Sequence, residues 1–204
     1  MIDEFNLTPT QLDALREIGN VGAGNAATAL SQVINKRIDM NVPKVALIPI
    51  EDVPELVGGA DKLIVGIFLR VYGKAPGNIL FIMPKESAYY MVDDLMGRPH
   101  GSTKTLNEMD VSALKEVGNI LSGSYLNAFF HFTNISMVPS IPSLAIDMAG
   151  AILNIVLVQL GQMGDHAMVI ETKFLAEDDS VNGHFFLVPD PGSLTTLVKA
   201  VGVE

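Results

Sequence analysis

The chain has 204 residues, 49% of them hydrophobic, and a formal net charge of −10 at pH 7, so it is long enough to bury a full core in one large domain or two fused halves. The charge balance and the scattered cations exclude the basic patch that a nucleic-acid partner requires. Cysteine is absent, which excludes a disulfide framework and a thiolate metal site and fits a reducing compartment.

The first half of the chain predicts two helices separated by three extended runs. Thr8 and Pro9 mark the start of a long helix that reaches about Asn35, since they suit the N-cap and the first helical position. The extended runs are "RIDMNVPKVALIPI", "KLIVGIFLRVYG" and "GNILFIMP", the last two joined by a short turn. A helix over "KESAYYMVDDLMG" ends at Gly97, and the polar "RPHGSTK" is the predicted linker between the halves.

The second half predicts a similar order of elements. A long helix covers about Asn107 to Thr133, "SLAIDMAGAILNIVLVQL" is predicted to be helical, two β-runs follow, and a short helix starts at Gly192. Polar residues interrupt the most apolar window, which indicates a buried helix rather than a membrane span of roughly 20 apolar residues. Because the acidic N-terminus also lacks the apolar core of a signal peptide, the prediction is a soluble, cytoplasmic α/β protein.

An internal repeat relates the two halves. The segment "DALREIGNVGAGNAATAL" aligns with "SALKEVGNILSGSYLNAF", which lies 99 residues later, and at the same offset Pro43 falls on Pro142. Two copies at this spacing predict a single domain made of two repeats, about 1–99 and 100–204, related by pseudo-two-fold symmetry.

Three glycines in the first copy, Gly19, Gly22 and Gly24, raise the question of a phosphate-binding loop. Their G-x-x-G-x-G order differs from the dinucleotide fingerprint, and the G-K-[ST] of a Walker loop is absent. The second copy has Leu121 in place of Gly22, which a loop that cradles phosphate could hardly accept. Close packing within a long helix is therefore the favoured interpretation, and nucleotide binding is the weaker alternative.

Each long helix carries three polar residues at positions i, i+4 and i+7. They are Asp13, Glu17 and Asn20 in the first copy, and Ser112, Glu116 and Asn119 in the second. At about 100° per residue they share one helix face within roughly 60° of arc, and apolar neighbours indicate that this face points to solvent. Such a face is often merely solvated, but its recurrence favours a function. A carboxamide can orient a water towards a phosphoryl group, and a glutamate one turn away could pair with a lysine of a partner.

The pattern [DS]-x-x-x-E-x-x-N, followed by 22 residues and a proline, resembles the CheC/CheX/FliY family of chemotaxis phosphatases. It occurs twice, ending at Pro43 and Pro142, and the resemblance extends to "GNVGAGNAATALS", "NVPKV" and "LMGRP". Two sites in one chain of this length are most similar to the CheC branch, because FliY-like proteins carry an added C-terminal domain and CheX-like chains have one site and dimerise. The resemblance implies a CheC-like fold in a monomeric chain, with a β-sheet and two long helices that carry the sites.

The resemblance also implies a reaction and its residues. The chain would hydrolyse the aspartyl phosphate of the response regulator CheY, with Mg²⁺ bound in CheY and no cofactor in this chain. Asn20 and Asn119 would position the attacking water. Glu17 and Glu116 would hold the regulator by its active-site lysine, and the first residue of each motif would support the contact.

A second partner implied by the resemblance is the receptor deamidase CheD. In CheC-like proteins the helix after the second motif supplies that contact, and here the predicted helix includes Asp147. The first half has only "EDVPELVGG" at the corresponding place, which fits one CheD surface and two phosphatase faces. The alternative function is therefore an adaptor or regulator of CheD with minor phosphatase activity.

Other polar and aromatic groups carry no predicted chemistry. The four histidines show no metal-ligand spacing, so no metal site is expected. Asp93 and Asp94 are interpreted as surface charge, and "FFHF" at Phe129 to Phe132 as core packing.

Overall fold

The computed structural model describes residues 7–35, 37–49, 52–160, 166–175, 182–190 and 192–201. The helices are α1 (Pro9–Ile34), α2 (Val53–Leu56), α3 (Lys85–Leu95), α4 (Glu108–Thr133), α5 (Ala149–Leu160) and α6 (Ser193–Val201). The strands are β1 (Asp39–Pro49), β2 (Leu63–Gly73), β3 (Gly77–Pro84), β4 (Met137–Pro139), β5 (Ser143–Met148), β6 (His166–Leu175) and β7 (Asn182–Pro189). The predicted α/β class and both predicted long helices are confirmed.

All described strands form one antiparallel sheet in the order β1-β6-β7-β3-β2-β4, and β5 also pairs with β2. The order is symmetric under exchange of the two halves: β2 corresponds to β6, β3 to β7, and β1 to β5. The central pair, β3 with β7, joins the hairpin strands of one half to those of the other. Each long helix is therefore placed against a sheet to which both halves contribute.

Helices cover both faces of the sheet. The larger core cluster includes buried residues of α1, α3, α4 and α6 together with Val65, Ile67 and Leu69 of β2. The smaller cluster lies on the other face, where Ile64 of β2 packs with residues of α2 and α5. Because β2 is covered on both faces, its sequence is a nearly continuous apolar run rather than an alternating one.

The two long helices begin and end in the same way. Thr8 and Asn107 each form a capping box with the residue three positions on, which satisfies backbone N–H groups that the first turn leaves free. Asn35 and Asn134 end the helices in the left-handed conformation, with φ of 54° and 56°. Asparagine tolerates this conformation well. The repeat thus extends from the helix sequences to both of their ends.

Glycine allows α1 to approach α4 closely, and α4 to approach β2. A Cβ on Gly22 would lie 2.6 Å from Cδ1 of Tyr125, and one on Gly118 would lie 2.6 Å from Cγ2 of Ile67. Gly19, Gly22 and Gly24 all lie inside α1, where backbone N–H groups are engaged along the helix. The interpretation as close helix packing is confirmed for Gly22, and the phosphate-loop alternative is wrong.

The segment around Asp147 is a strand, not the predicted helix. Residues Ser143–Met148 form β5, which pairs with β2 so that Asp147 lies opposite Ile64, and α5 begins only at Ala149. Pairing with a distant strand overrides local helical preference here.

In the part of the chain that the structure describes, every helix is too short or too polar to cross a membrane.

The "FFHF" segment at the end of α4 is only partly in the core. Phe129 is fully buried, whereas Phe130 and Phe132 are 42% and 46% exposed. Consecutive helical residues point about 100° apart, so one helix face cannot bury all of them. The core-packing prediction is therefore wrong for Phe130 and Phe132.

Asp93 is buried, which corrects its interpretation as surface charge. Its carboxylate accepts hydrogen bonds from the backbone N–H groups of Ser102 and Thr103, each at 3.0 Å, and from the Thr103 hydroxyl at 2.6 Å. Burial by itself raises the pKa of Asp93, but the hydrogen bonds from Thr103, Gly101 and Ser102 outweigh it and leave the pKa below its usual value. The connection between α3 and α4 is thus fastened to α3.

Asp93→Asn is expected to lower the free energy of unfolding by about 1–2 kcal/mol near neutral pH, because hydrogen bonds to a charged acceptor are lost. The folded-state pKa lies below the unfolded one, so the stabilisation is complete above about pH 4 and disappears as the pH falls through the folded-state value. Urea unfolding of both proteins at several pH values measures this. The exposed Asp61→Asn serves as the control, and a difference that does not shrink in acid would contradict the prediction.

Candidate active site

The first polar motif lies on the exposed face of α1. Asp13, Glu17 and Asn20 are exposed, while Leu15 and Ile18 on the opposite side are buried in the larger core cluster. The burial of those apolar residues fixes the rotation of the helix about its axis. As a result, the carboxylate and the carboxamide point to solvent from a helix that is itself held firmly against the sheet.

The second motif has the same arrangement on α4. Ser112, Glu116 and Asn119 are exposed, and Leu114 and Val117 are buried on the opposite side. The predicted sharing of one exposed helix face therefore holds in both copies. Since α1 packs directly on α4, the two polar faces belong to neighbouring helices of one layer.

The two sites differ in their local hydrogen bonds. In the second site the Asn119 Nδ2 donates to Glu116 Oε2 at 3.0 Å. A carboxylate only accepts, so the amide nitrogen must face it and Asn119 Oδ1 remains free to accept from another group. In the first site the described contact is between Arg16 and Asp13, with Nη1 of Arg16 donating to Oδ1 at 3.0 Å. This pair is exposed and adds little stability.

Of the two motif prolines, Pro142 lies in the loop between β4 and β5, whereas Pro43 is a strand residue. Pro142 is buried, and its Cβ lies 3.8 Å from the position that a Cβ on Gly118 would take. It therefore borders α4 at the residue before Asn119. Pro43 lies in β1, where the register with β6 shifts between Asn41 and Lys44.

The site residues stand on an open surface. An open groove of about 740 Å³ lies between the C-terminal half of α1 and the start of β1, and Thr28, Ser31 and Arg37 are among its lining residues. Neither Glu17 nor Asn20 lines it. Among the described residues, His, Asp and Glu form no group of three or more that could hold a metal ion. Two exposed carboxamides on rigid helices suit contact with the surface of another macromolecule better than enclosure of a small molecule.

Asp147 is separated from both motifs. Its cross-strand partner Ile64 belongs to the smaller core cluster, so Asp147 lies on the α2 and α5 side of the sheet, whereas the two motifs lie on the α1 and α4 side. Its side chain is exposed, and Oδ1 accepts from the backbone N–H of Met148 at 2.8 Å.

Sequence reasoning missed a link between the halves at the far end of β2. Arg70 forms a two-armed ion pair with Asp190, which follows β7. The hydrogen bonds and the charge of Asp190 raise the pKa of Arg70, against the opposing effect of burial. Nothing in the sequence pattern pairs these two residues, because they are distant along the chain.

The fold and the site together define an α/β protein with a symmetric sheet and two exposed Glu–Asn pairs on neighbouring helices. The CheC-like family model matches residues 11–47 and 109–146, and each match contains one complete motif with its proline. The chain is 40% identical over 198 residues to the CheY-P phosphatase CheC of Bacillus subtilis, covering 95% of each protein. The chain belongs to the CheC-like family.

Solved structures support the same fold. Thermotoga maritima FliY superimposes with a TM-score of 0.77 at 22% sequence identity, covering 97% of this chain and 98% of the other. A chain from the CheX–CheY–BeF3–Mg²⁺ complex of Borrelia burgdorferi superimposes with a TM-score of 0.50 at 17% identity, covering 82% of this chain and 95% of the other. The predicted CheC-like fold is confirmed.

Proposed function

We propose that this protein is a phosphatase that hydrolyses the aspartyl phosphate of the response regulator CheY. The observation that carries the proposal is the exposed Glu–Asn pair, presented twice on equivalent faces of α1 and α4. The similarity to the CheY-P phosphatase CheC of Bacillus subtilis supports the choice of substrate. In this proposal the chain acts as a monomer, because a single chain already carries two sites.

The chemistry would take place at the phosphoryl group held by the regulator. The acyl phosphate and its Mg²⁺ belong to CheY, and this chain supplies no cofactor. Asn20 or Asn119 enters that site and positions a water for in-line attack on phosphorus, because a carboxamide can accept from the water and donate to a phosphoryl oxygen. The aspartate of the regulator is the leaving group, and phosphate is released.

The glutamates would dock the regulator. Glu17 or Glu116 pairs with the active-site lysine of CheY, while Asp13 and Ser112 support the contact at the edge of each face. In the second site Glu116 also holds the Asn119 amide at 3.0 Å. This contact lowers the entropy lost when the carboxamide is fixed for attack.

The direct test is the decay of phosphorylated CheY with Mg²⁺ present. The full chain at substoichiometric concentration is expected to accelerate phosphate release with turnover, whereas the regulator by itself decays at its spontaneous rate. Decay that does not respond to the added protein would contradict the proposed function.

The double substitution Glu17→Ala with Glu116→Ala is expected to raise KM for phosphorylated CheY by about tenfold and to change kcat less. Loss of a charge pair at an interface weakens docking by this order. Initial rates at a series of CheY concentrations separate the two constants. The exposed Glu55→Ala on α2 is the matched control, and an unchanged KM in the double variant would refute the docking role.

A second candidate function is regulation of the deamidase CheD through the surface around Asp147. The observation that favours it is the exposure of Asp147 on the side of the sheet opposite the phosphatase faces. This position lets one chain contact a second partner without covering Asn20 or Asn119. The next helix along the chain after the motif proline is α5, with 12 residues, in the second half, but α2, with only four, in the first.

Asp147→Lys is expected to weaken CheD binding by at least about tenfold, because a charge reversal at an interface is unfavourable, and to leave CheY-P hydrolysis within about twofold of the original. Calorimetric titration with CheD and the phosphate-release assay measure the two effects separately. If the variant binds CheD with the same affinity as the original chain, Asp147 does not belong to the CheD-binding surface.

A further inference from the structure

Ile141 is a highly exposed apolar residue that belongs to neither polar motif. It lies in the loop between β4 and β5 and is 89% exposed, the largest value among the exposed large hydrophobic residues that the structure describes. Single exposed apolar residues are common on protein surfaces. Ile141 is distinguished by two features: the backbone is fixed on both sides of it, and its loop packs against α4.

The backbone on each side of Ile141 is fixed. Before it, the Arg70 N–H donates to Ser140 Oγ at 2.9 Å, and the Ser140 N–H donates to the Arg70 carbonyl at 2.7 Å. After it, Pro142 is buried and has a restricted φ. Arg70 is itself held by Asp190. An apolar side chain on such a support loses little backbone freedom when a partner covers it.

The loop that carries Ile141 packs against α4, the helix of the second site. Pro142 packs beside Gly118, with its Cβ 3.8 Å from the position of a Cβ on that glycine, and the residue after Gly118 is Asn119. Leu144, further along, packs into the larger core cluster on the α4 side of the sheet. Ile141 is thus a supported apolar residue directly before a proline that packs against α4, one position before Asn119.

We propose that Ile141 is an apolar anchor for the phosphorylated regulator at the second site. This inference rests on the proposed function and adds an affinity-determining residue to it. When Asn119 reaches the phosphoryl group, the regulator surface beside its phosphorylation site covers Ile141 and removes it from water. Ile141 does not touch the reacting atoms. The corresponding residue in the first half is Val42, which has one methylene fewer.

Single-site backgrounds isolate the effect. Asn20→Ala leaves hydrolysis only at the second site, and Asn119→Ala leaves it only at the first. In the Asn20→Ala background, Ile141→Ala is expected to raise KM for phosphorylated CheY by about five- to tenfold with kcat within twofold, as for an interface anchor. In the Asn119→Ala background it is expected to change neither constant. Val138→Ala, at a residue that is 59% exposed and paired with Tyr72, is the matched control.

Binding of CheY activated with beryllofluoride and Mg²⁺ provides a readout that does not depend on hydrolysis. In a Glu17→Ala background, where docking at the first site is weakened, weaker binding of the Ile141→Ala chain supports the anchor, even if no variant releases phosphate and the proposed function fails. An unchanged KM in the Asn20→Ala background, together with an unchanged affinity in the Glu17→Ala background, would overturn the anchor while leaving the phosphatase intact. Equal increases of KM in the Asn20→Ala and Asn119→Ala backgrounds would also overturn it, since the effect would not belong to the second site.

Discussion

Replacing both Asn20 and Asn119 with alanine is expected to return the decay of phosphorylated CheY to its spontaneous rate. In the proposed mechanism the chain contributes no nucleophile, so most of its effect on the chemical step depends on the carboxamide that places the water. Removal of one such preorganised group typically costs about 100-fold or more in kcat, or about 2.7 kcal/mol of transition-state stabilisation. Docking through Glu17 and Glu116 should persist, so activated CheY should still bind.

The single variants divide the activity between the sites. Asn20→Ala and Asn119→Ala should each remove the phosphatase activity of one site. The two losses should add, because each site acts on its own regulator molecule. Asn154→Ala on α5 is the matched control, since this asparagine is also exposed on a helix. A double variant with full activity would refute the mechanism, and a single variant without activity would reduce the chain to one working site.

The long helices could be predicted from the sequence because their signals are local. Thr8 and Pro9 at one start and Asn107 at the other mark the first turns, and apolar spacing identifies the buried side of each helix. The exposed polar face follows from the same periodicity. For this reason the geometry of the site was predictable, whereas the roles of its residues come from resemblance and stay proposals.

The parts that could not be predicted depend on distant contacts. β5 forms because Ser143–Met148 pairs with a strand about 80 residues earlier in the chain, and its apolar sequence runs into α5 without a break that marks the boundary. Asp93 gives no local sign of burial either. Its partners Ser102 and Thr103 lie in a loop whose composition is typical of an exposed linker.

Gly22→Ala is expected to lower the free energy of unfolding by about 2–3 kcal/mol, whereas Gly24→Ala should raise it by about 0.5–1 kcal/mol. Alanine is the better helix former at both positions, so propensity predicts a gain in each case. At Gly24 a Cβ meets no atom within 4 Å, and the gain should be realised. At Gly22 the Cβ would lie 2.6 Å from Cδ1 and 3.1 Å from Cα of Tyr125, and overpacking of this kind outweighs propensity.

Tyr125 has no room to relieve that clash. Its ring is fully buried and stacks on Phe185 of the central strand pair, with 4.2 Å between the ring centroids. The helices must therefore separate, and because Asn20 lies half a turn from Gly22, the first polar face would shift with α1. Urea unfolding of the two variants measures the change in the free energy of unfolding, which should be negative for Gly22→Ala and positive for Gly24→Ala. Equal changes in the two variants would contradict close helix contact at Gly22. In the Asn119→Ala background, Gly22→Ala should also lower the remaining phosphatase activity, since the same contact that stabilises the fold holds Asn20 in place.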